Sequence, residues 1–123
     1  MPDIDEYPLQ IGPGYICFWE NSETGEYSAP EDEAHFTYAF IQEKLAEVFA
    51  VPDSFIGVTD AHGNTLQFDV QLPDEIWLDI PLLDKAGSLR KQTDLAEAQA
   101  LIGRQADDLG TLEIDGLMFQ AWE

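Results

Sequence analysis

The stretch from Ser54 to Ile80 alternates apolar and polar residues with a period of two, which is typical of half-buried β-strands. Turn sequences at residues 60–64 and 72–75 divide it, so the pattern predicts a three-stranded antiparallel meander. One face is predicted to be apolar, and its residues are Leu66, Phe68, Val70, Ile76, Leu78 and Ile80. The other face is polar apart from one tryptophan, and its residues are Gln67, Asp69, Gln71, Trp77 and Asp79.

The first half of the chain predicts a lead-in, two short strands and a helix. Residues 1–14 are rich in Pro, Gly and acid and are expected to be extended. Strands are expected at 15–20 and, after a turn, at 27–29. A helix is expected from Pro30 to about Ala50, because Pro suits a first helical turn and apolar residues then recur at helical spacing.

The second half predicts a loop, a helix and a hairpin. Residues 81–92 are polar and are expected to form a loop. Asp94 and Glu97 resemble a capping pair that opens a second helix. Residues 111–114 and 117–122 are expected to form a hairpin about Asp115-Gly116. The sequence therefore predicts one α+β domain over 1–123, with a mostly antiparallel sheet (a meander plus a C-terminal hairpin) packed with two helices.

The charge of the chain favours a basic partner. It has 25 acidic and 5 basic residues, a formal net charge of −20. Direct binding to nucleic acid or to an anionic membrane is disfavoured by repulsion, whereas a basic protein would be steered in. Solubility or a salt-rich habitat is the simpler explanation. The charge is uneven, however, because no Lys or Arg occurs between Met1 and Glu43.

The sequence predicts a cytoplasmic protein without disulfides. Cys17 is the only cysteine and lies in an apolar run, which predicts a small buried side chain. The N-terminus has neither the basic nor the apolar region of a signal peptide. No stretch has the length of a membrane span.

The residues give little support to catalysis. His35 and His62 are the only histidines, and Asp60, His62 and Asn64 lack the further carboxylates of a calcium loop. No phosphate loop, nucleophile elbow or HExxH motif is present. We therefore expect no catalytic residue, no metal and no cofactor. A small hydrolase that uses a carboxylate with a histidine is the enzymatic alternative, and it requires both histidines to converge with acids in one pocket.

The polar face of the meander is the predicted partner-binding site. A tryptophan ringed by acids and amides has the composition of a binding hot spot, with an aromatic anchor and charges that guide encounter. The alternatives are that a helix covers Trp77 and makes it core, or that Trp77 is a lone exposed aromatic side chain. The predicted contact residues are Trp77, Asp69, Asp79, Gln67 and Gln71, with Glu31, Asp32 and Glu33 supplying long-range steering.

The last half of the chain resembles small acidic immunity proteins of bacterial polymorphic toxin systems. The resemblance rests on the strands 63–71 and 75–81, the loop 84–91 and the helix 94–102. It implies a cognate inhibitor, not a catalyst, that caps the active-site cleft of a basic toxin such as a nuclease or deaminase. A phage-type inhibitor or DNA mimic, such as an anti-CRISPR protein, is the nearest alternative.

Overall fold

The computed structural model describes residues 13–122, which form eight strands and two α-helices. In chain order these are β1 (Gly14–Glu20), β2 (Tyr27–Ser28), β3 (His35–Thr37), α1 (Tyr38–Phe49), β4 (Ser54–Thr59), β5 (Thr65–Leu72), β6 (Glu75–Leu82), β7 (Gly87–Thr93), α2 (Leu95–Gly103) and β8 (Met118–Ala121). Short 3₁₀ turns span Pro30–Asp32, Leu83–Lys85 and Leu109–Thr111.

All the described strands belong to one antiparallel sheet. Its order is β2-β1-β4-β5-β6-β7-β8, and β3 pairs with β1 at the same edge as β2. Both described helices lie against one face, where the ring of Phe49 in α1 is 5.6 Å from that of Phe68 in β5. We call this the inner face and the opposite one the outer face. The fold is therefore α+β, as the sequence predicted.

The inner face and the two helices enclose one hydrophobic core. Its fully buried members come from β1, β4, β5, β6, α1 and α2 and include Trp19, Ile41, Leu45, Ile56, Leu66, Phe68, Leu78 and Ile102. The alternation predicted for the meander is confirmed, since Leu66, Phe68, Val70, Ile76 and Leu78 are buried and Ile80 packs against them. Cys17 is also fully buried, as expected.

The predicted helix from Pro30 to Ala50 is wrong in its first part. Residues 35–37 form β3 instead, and α1 begins at Tyr38 with the Thr37 hydroxyl capping the Phe40 N–H at 3.3 Å. Phe36 is buried with its ring 5.3 Å from that of Trp19. Pairing with β1 at Gly14, where a Cβ would come within 1.9 Å of the Phe36 carbonyl, outweighs local helix propensity.

The predicted loop over residues 81–92 is also wrong. β6 continues to Leu82, a 3₁₀ turn follows, and β7 then pairs with β6 at seven positions from Gly87 to Thr93. The segment lacks apolar alternation because its outer face is polar and its inner face lies at the margin of the core. Cross-strand pairing makes it a strand.

The predicted C-terminal hairpin forms only its turn. Gly116 has a φ of 89°, as a turn requires, but residues 109–111 are a 3₁₀ turn capped by Asp108. Leu112, Ile114 and Leu117 pack against the core without forming a strand, whereas β8 pairs with β7. The Asp115-Gly116 turn that suggested the hairpin therefore joins an irregular, core-packed segment to β8.

The remaining predictions at the ends of elements are mostly confirmed. The short second strand is present as β2, and Asp94 caps α2 by accepting from the Glu97 N–H at 2.8 Å. Of the expected lead-in over 1–14, residues 1–12 lie outside the described part of the chain, and Gly14 already belongs to β1. Neither of the described helices is long and apolar enough to cross a membrane.

Candidate functional site

The outer face carries a cluster of polar side chains around one tryptophan. Register places Asp69 beside Trp77 across β5 and β6, and Gln67 beside Asp79. On the far side of β6, Asp79 is paired with Arg90 of β7. We call these five residues, namely Gln67, Asp69, Trp77, Asp79 and Arg90, the Trp77 cluster. Trp77 is only partly exposed, although neither described helix covers this face.

Arg90 holds the cluster together. Its guanidinium carbon lies 5.1 Å from the centre of the Trp77 ring, a cation–π distance. Its Nε is 3.7 Å from Asp79 Oδ1, which is an ion pair but too long for a hydrogen bond. Both of these atoms are shielded from solvent and have no hydrogen-bond partner among the described residues. Its Nη1 donates to Gln120 Oε1 at 3.3 Å.

Asp69 is electrostatically strained. Partial burial raises the pKa of its carboxyl group, and the nearby charge of Asp79 raises it further. A hydrogen bond from Gln67 Nε2, 2.9 Å long, and the charge of Arg90 act in the opposite direction but do not cancel the rise. A second acid beside a half-buried one costs stability, and such costs are often found where a surface binds a partner.

Two shallow concavities lie on either side of Arg90. One, of about 480 Å³, is lined by Trp77, Arg90, Gln92 and Met118 among others. The second, of about 370 Å³, is bordered by Arg90 and by Trp122, whose Nε1 donates to Ser88 Oγ at 2.9 Å. The outer face between β6 and β8 is therefore grooved, with a tryptophan at each end.

Aromatic side chains continue the outer face toward β1. The Phe18 ring lies directly over Gly57, where a Cβ would come within 2.2 Å of the ring. Phe55 is its neighbour, with ring centres 6.4 Å apart. Because Phe18 is only 5% exposed, this part of the face is filled and the Trp77 cluster is the polar part.

The structure brings together four of the five predicted contact residues: Gln67, Asp69, Trp77 and Asp79. Gln71 is exposed at the end of β5, where an irregularity of the β5–β6 register removes it from the regular alternation. Glu31, Asp32 and Glu33 are exposed between β2 and β3, at the opposite edge of the sheet from β8. They do not belong to the Trp77 cluster.

Sequence reasoning missed Arg90 and the β8 residues of the groove. The sequence predicts a loop at Arg90 because residues 87–93 have no apolar alternation. Once this run is paired with β6, residues two apart share a face, so Arg90 lies on the same face as Ser88. The sequence predicts that 117–122 pairs with 111–114 in a hairpin. Only the pairing of β8 with β7 places Met118 on the outer face, where the Trp122 side chain donates to Ser88.

The two histidines lie on different elements. His35 is on β3 and His62 is in the turn after β4, and β1 lies between these two strands, whose axes are roughly 10 Å apart. The Asp60 carboxylate accepts from four N–H groups, those of His62, Asn64 (backbone and side chain) and Leu109. Among residues 13–122 no group of three or more potential metal ligands is found.

The main buried cation serves the core and not the outer face. Lys44 of α1 is 3% exposed and donates to Glu26 Oε1 at 2.9 Å and to Glu47 Oε2 at 3.1 Å. Burial lowers the pKa of its ammonium group, but the two carboxylates outweigh burial and raise it overall. Trp19 Nε1 donates to the same Glu26 oxygen at 3.2 Å, so this cluster ties α1 to β1.

Comparison of the chain with protein-family models, with curated proteins and with solved structures finds no match.

Proposed function

We propose that this chain is an inhibitory protein-binding module that holds a basic protein domain against the outer face of its sheet. The observation that supports this most is the position of Trp77. Its ring lies on the face opposite both described helices, is only partly exposed, and is held by Arg90 at 5.1 Å. A rigid aromatic ring beside a groove is the usual centre of a protein-binding surface.

The charges around Trp77 suit a cationic partner. Asp69 and Asp79 lie next to it on the sheet, and the chain as a whole has a net charge of −20. Long-range attraction would bring a basic domain in, and the exposed acids Glu31, Asp32 and Glu33 would contribute to steering without touching it. On binding, a partner cation beside Asp69 would relieve the repulsion between Asp69 and Asp79.

The biological setting that we propose is immunity to a bacterial toxin. The resemblance of residues 63–102 to small acidic immunity proteins supports it, as does the pairing of an acidic inhibitor with a toxin that must bind nucleic acid. The chain would act by covering the toxin's active-site cleft, so that substrate cannot enter. It would need no cofactor and would carry no catalytic residue.

The test is capture of the partner followed by an inhibition assay. The immobilised chain is exposed to an extract of its source cells at low and high salt, and the retained proteins are identified by mass spectrometry. We expect one basic domain whose retention weakens at high salt. The domain is then purified, and its own activity is measured with increasing amounts of the chain.

Matched variants make the test specific to the proposed face. Trp77→Ala should remain folded by circular dichroism and should weaken inhibition by about 2 kcal/mol or more, which is roughly 30-fold. The control is Tyr27→Ala, which removes an aromatic side chain that is 68% exposed on β2 at the far edge of the sheet. Equal inhibition by both variants would remove Trp77 from the interface, and unfolding of Trp77→Ala would show that this ring is core. A partner that binds without losing activity would contradict the inhibitor proposal.

A further inference from the structure

The edge of the sheet formed by β8 is unusual for a highly charged protein. All four residues of β8 are exposed, and Met118, Phe119 and Trp122 are among the most exposed large apolar side chains of the described chain, at 74%, 50% and 46%. The segment 117–122, LMFQAW, contains no charged residue and no proline. Sheet edges normally carry a charge, a proline or a bulge to prevent pairing with another strand.

The backbone of β8 carries hydrogen-bonding groups at this edge that have no partner among residues 13–122. The Trp122 N–H donates to the Ala86 carbonyl of the preceding strand connection at 2.8 Å. Along an antiparallel strand the backbone N–H and C=O groups of successive residues point to alternate sides. The N–H and C=O groups of Gln120 and Met118 therefore also point toward β7. The N–H and C=O groups of Phe119 and Ala121 therefore point away from the sheet.

We propose that β8 pairs with β8 of a second copy of this chain, joining two sheets edge to edge about a two-fold axis at Gln120. In this antiparallel register Phe119 of each copy lies opposite Ala121 of the other copy. Each of these two pairs exchanges two hydrogen bonds through the outward N–H and C=O groups, on the order of four backbone hydrogen bonds in all. A two-fold axis at Phe119 or at Ala121 would instead pair one of these two residues with a residue outside β8.

The side chains of β8 are complementary to themselves in that register. On the outer face Met118 lies opposite Trp122 of the second copy, a favourable contact of a thioether with an aromatic ring. On the inner face Phe119 lies opposite the small Ala121. The ring of Phe119 is already positioned over Gly87, where a Cβ would come within 2.4 Å of it. Two Gln120 side chains meet at the centre, so no charge is buried.

The distribution of charge permits a second copy at this edge more readily than elsewhere. Three of the five basic residues, Lys85, Arg90 and Lys91, lie on β7 or in the turn before it. The acids Glu31, Asp32 and Glu33 lie at the opposite edge of the sheet. Net repulsion between two chains of −20 remains, and the seam is short, so we expect a reversible dimer that is stabilised by salt.

The first test is the oligomeric state of the whole chain in solution. Sedimentation velocity is measured from about 1 to about 500 μM at low and high salt, a range that suits a small interface. We expect concentration-dependent dimerisation that strengthens with salt. Ala121→Pro removes an N–H that has no partner in the described part of the chain, so it should raise the dissociation constant on the order of tenfold or more. Ala121→Ser keeps the N–H and should dimerise like the parent chain.

The second test is a cross-link at the two-fold axis. Gln120 of one copy would lie opposite Gln120 of the other as a non-hydrogen-bonded antiparallel pair. The two Cα atoms would be about 4.5 Å apart, a separation that a disulfide can span. Gln120→Cys should form a covalent dimer rapidly with oxidised glutathione, whereas Gln71→Cys, an exposed position on β5, should not. The native Cys17 is fully buried and should not react. A chain that stays monomeric at every concentration and salt, with no faster cross-linking at 120 than at 71, would overturn the proposal and would favour a strand of another protein at this edge.

Discussion

The guanidinium of Arg90 lies 5.1 Å from the centre of the Trp77 ring while its Nε is 3.7 Å from Asp79. One side chain thus fixes both an aromatic ring and a carboxylate on the outer face. Fixing them in the unbound protein lowers the entropy that a partner must remove, which is how a binding surface gains affinity without further contacts.

Arg90→Met should destabilise the fold by about 1–2 kcal/mol. Methionine keeps part of the aliphatic stem but removes the cation–π contact, and it leaves the shielded Asp79 Oδ1 without an opposite charge. Urea unfolding at neutral pH measures the loss. Lys85→Met, which removes an exposed cation from the neighbouring 3₁₀ turn, is the control and should change stability little. The same loss in both variants would mean that net charge, and not the contacts of Arg90, is responsible.

Asp69→Asn should stabilise the protein and weaken the proposed complex. The pKa of Asp69 is raised by burial, so its ionised form is less favourable in the folded state than in the unfolded state. The cost is absent below the ordinary carboxyl pKa and appears as pH rises through the higher folded pKa. At neutral pH the gain should not exceed about 1 kcal/mol, since solvent screens a partly exposed carboxylate.

The pH dependence distinguishes this explanation from a simple packing effect. Unfolding of the parent chain and of Asp69→Asn is compared from acidic to neutral pH. The two stability curves should converge in acid and separate as pH rises. A gain that is constant with pH would show that ionisation of Asp69 is not its cause, and stronger binding of a basic partner would remove Asp69 from the proposed interface.

The meander and its two faces could be predicted from the sequence because a strand buried on one side alternates apolar and polar residues. Phe68 and Trp77 were assigned to opposite faces on that basis alone, and the structure places them so. Phe36 shows the limit of this reasoning. Its spacing from Phe40 fits a helix, yet the residue is in a strand because Gly14 allows β3 to approach β1 closely.

Arg90 could not be placed from the sequence because its environment depends on strand pairing. A polar run such as residues 87–93 has no apolar–polar alternation. The segment alone therefore indicates neither that it is a strand nor which face each of its side chains lies on. Four of the five residues of the Trp77 cluster, namely Trp77, Asp69, Asp79 and Gln67, followed from alternation within the meander. The residue that fixes the tryptophan came from β7, whose identity requires the pairing with β6.

Gly57→Ala should destabilise the fold by roughly 1–3 kcal/mol, as overpacking does. The added Cβ would lie 2.2 Å from Cζ of Phe18 and 2.6 Å from Cε2, so the ring must leave its place on the outer face. Thermal or urea unfolding measures the change. Much of the penalty should disappear when Phe18→Leu is already present, because no ring then lies over residue 57; a full penalty in that background would refute the clash.

Gly103→Ala is the matched control of opposite sign. It lies at the end of α2, and the nearest heavy atom to an added Cβ is Gln42 Nε2 at 3.7 Å, an ordinary contact. Alanine should therefore stabilise the protein by up to about 1 kcal/mol through helix propensity. Destabilisation by Gly103→Ala would show that an added methyl group at this glycine is costly without a clash, and the Phe18→Leu background would then be the deciding test for Gly57.

Asp60→Asn should cost about 2–3 kcal/mol, because one carboxylate joins two distant turns. Its Oδ1 accepts from the N–H groups of His62 and Asn64, and its Oδ2 accepts from the Leu109 N–H at 2.7 Å. The side-chain NH₂ group of asparagine would replace one of the two carboxylate oxygens and would face N–H groups that also donate. At least one buried N–H would then have no acceptor. Asp74→Asn, in the exposed turn between β5 and β6, is the control and should have little effect.

The penalty of Asp60→Asn should also depend on pH. Burial alone would raise the pKa of Asp60, but its four hydrogen bonds outweigh burial and hold the pKa below the ordinary value of 3.8. A depressed folded pKa means that the carboxylate stabilises the fold fully above 3.8 and that this contribution is lost as pH falls through the lower folded pKa. Urea midpoints of the parent and variant should therefore differ most at neutral pH and approach each other in strong acid. A difference that persists unchanged in acid would show that the shape of the side chain, and not its charge, holds the two turns together.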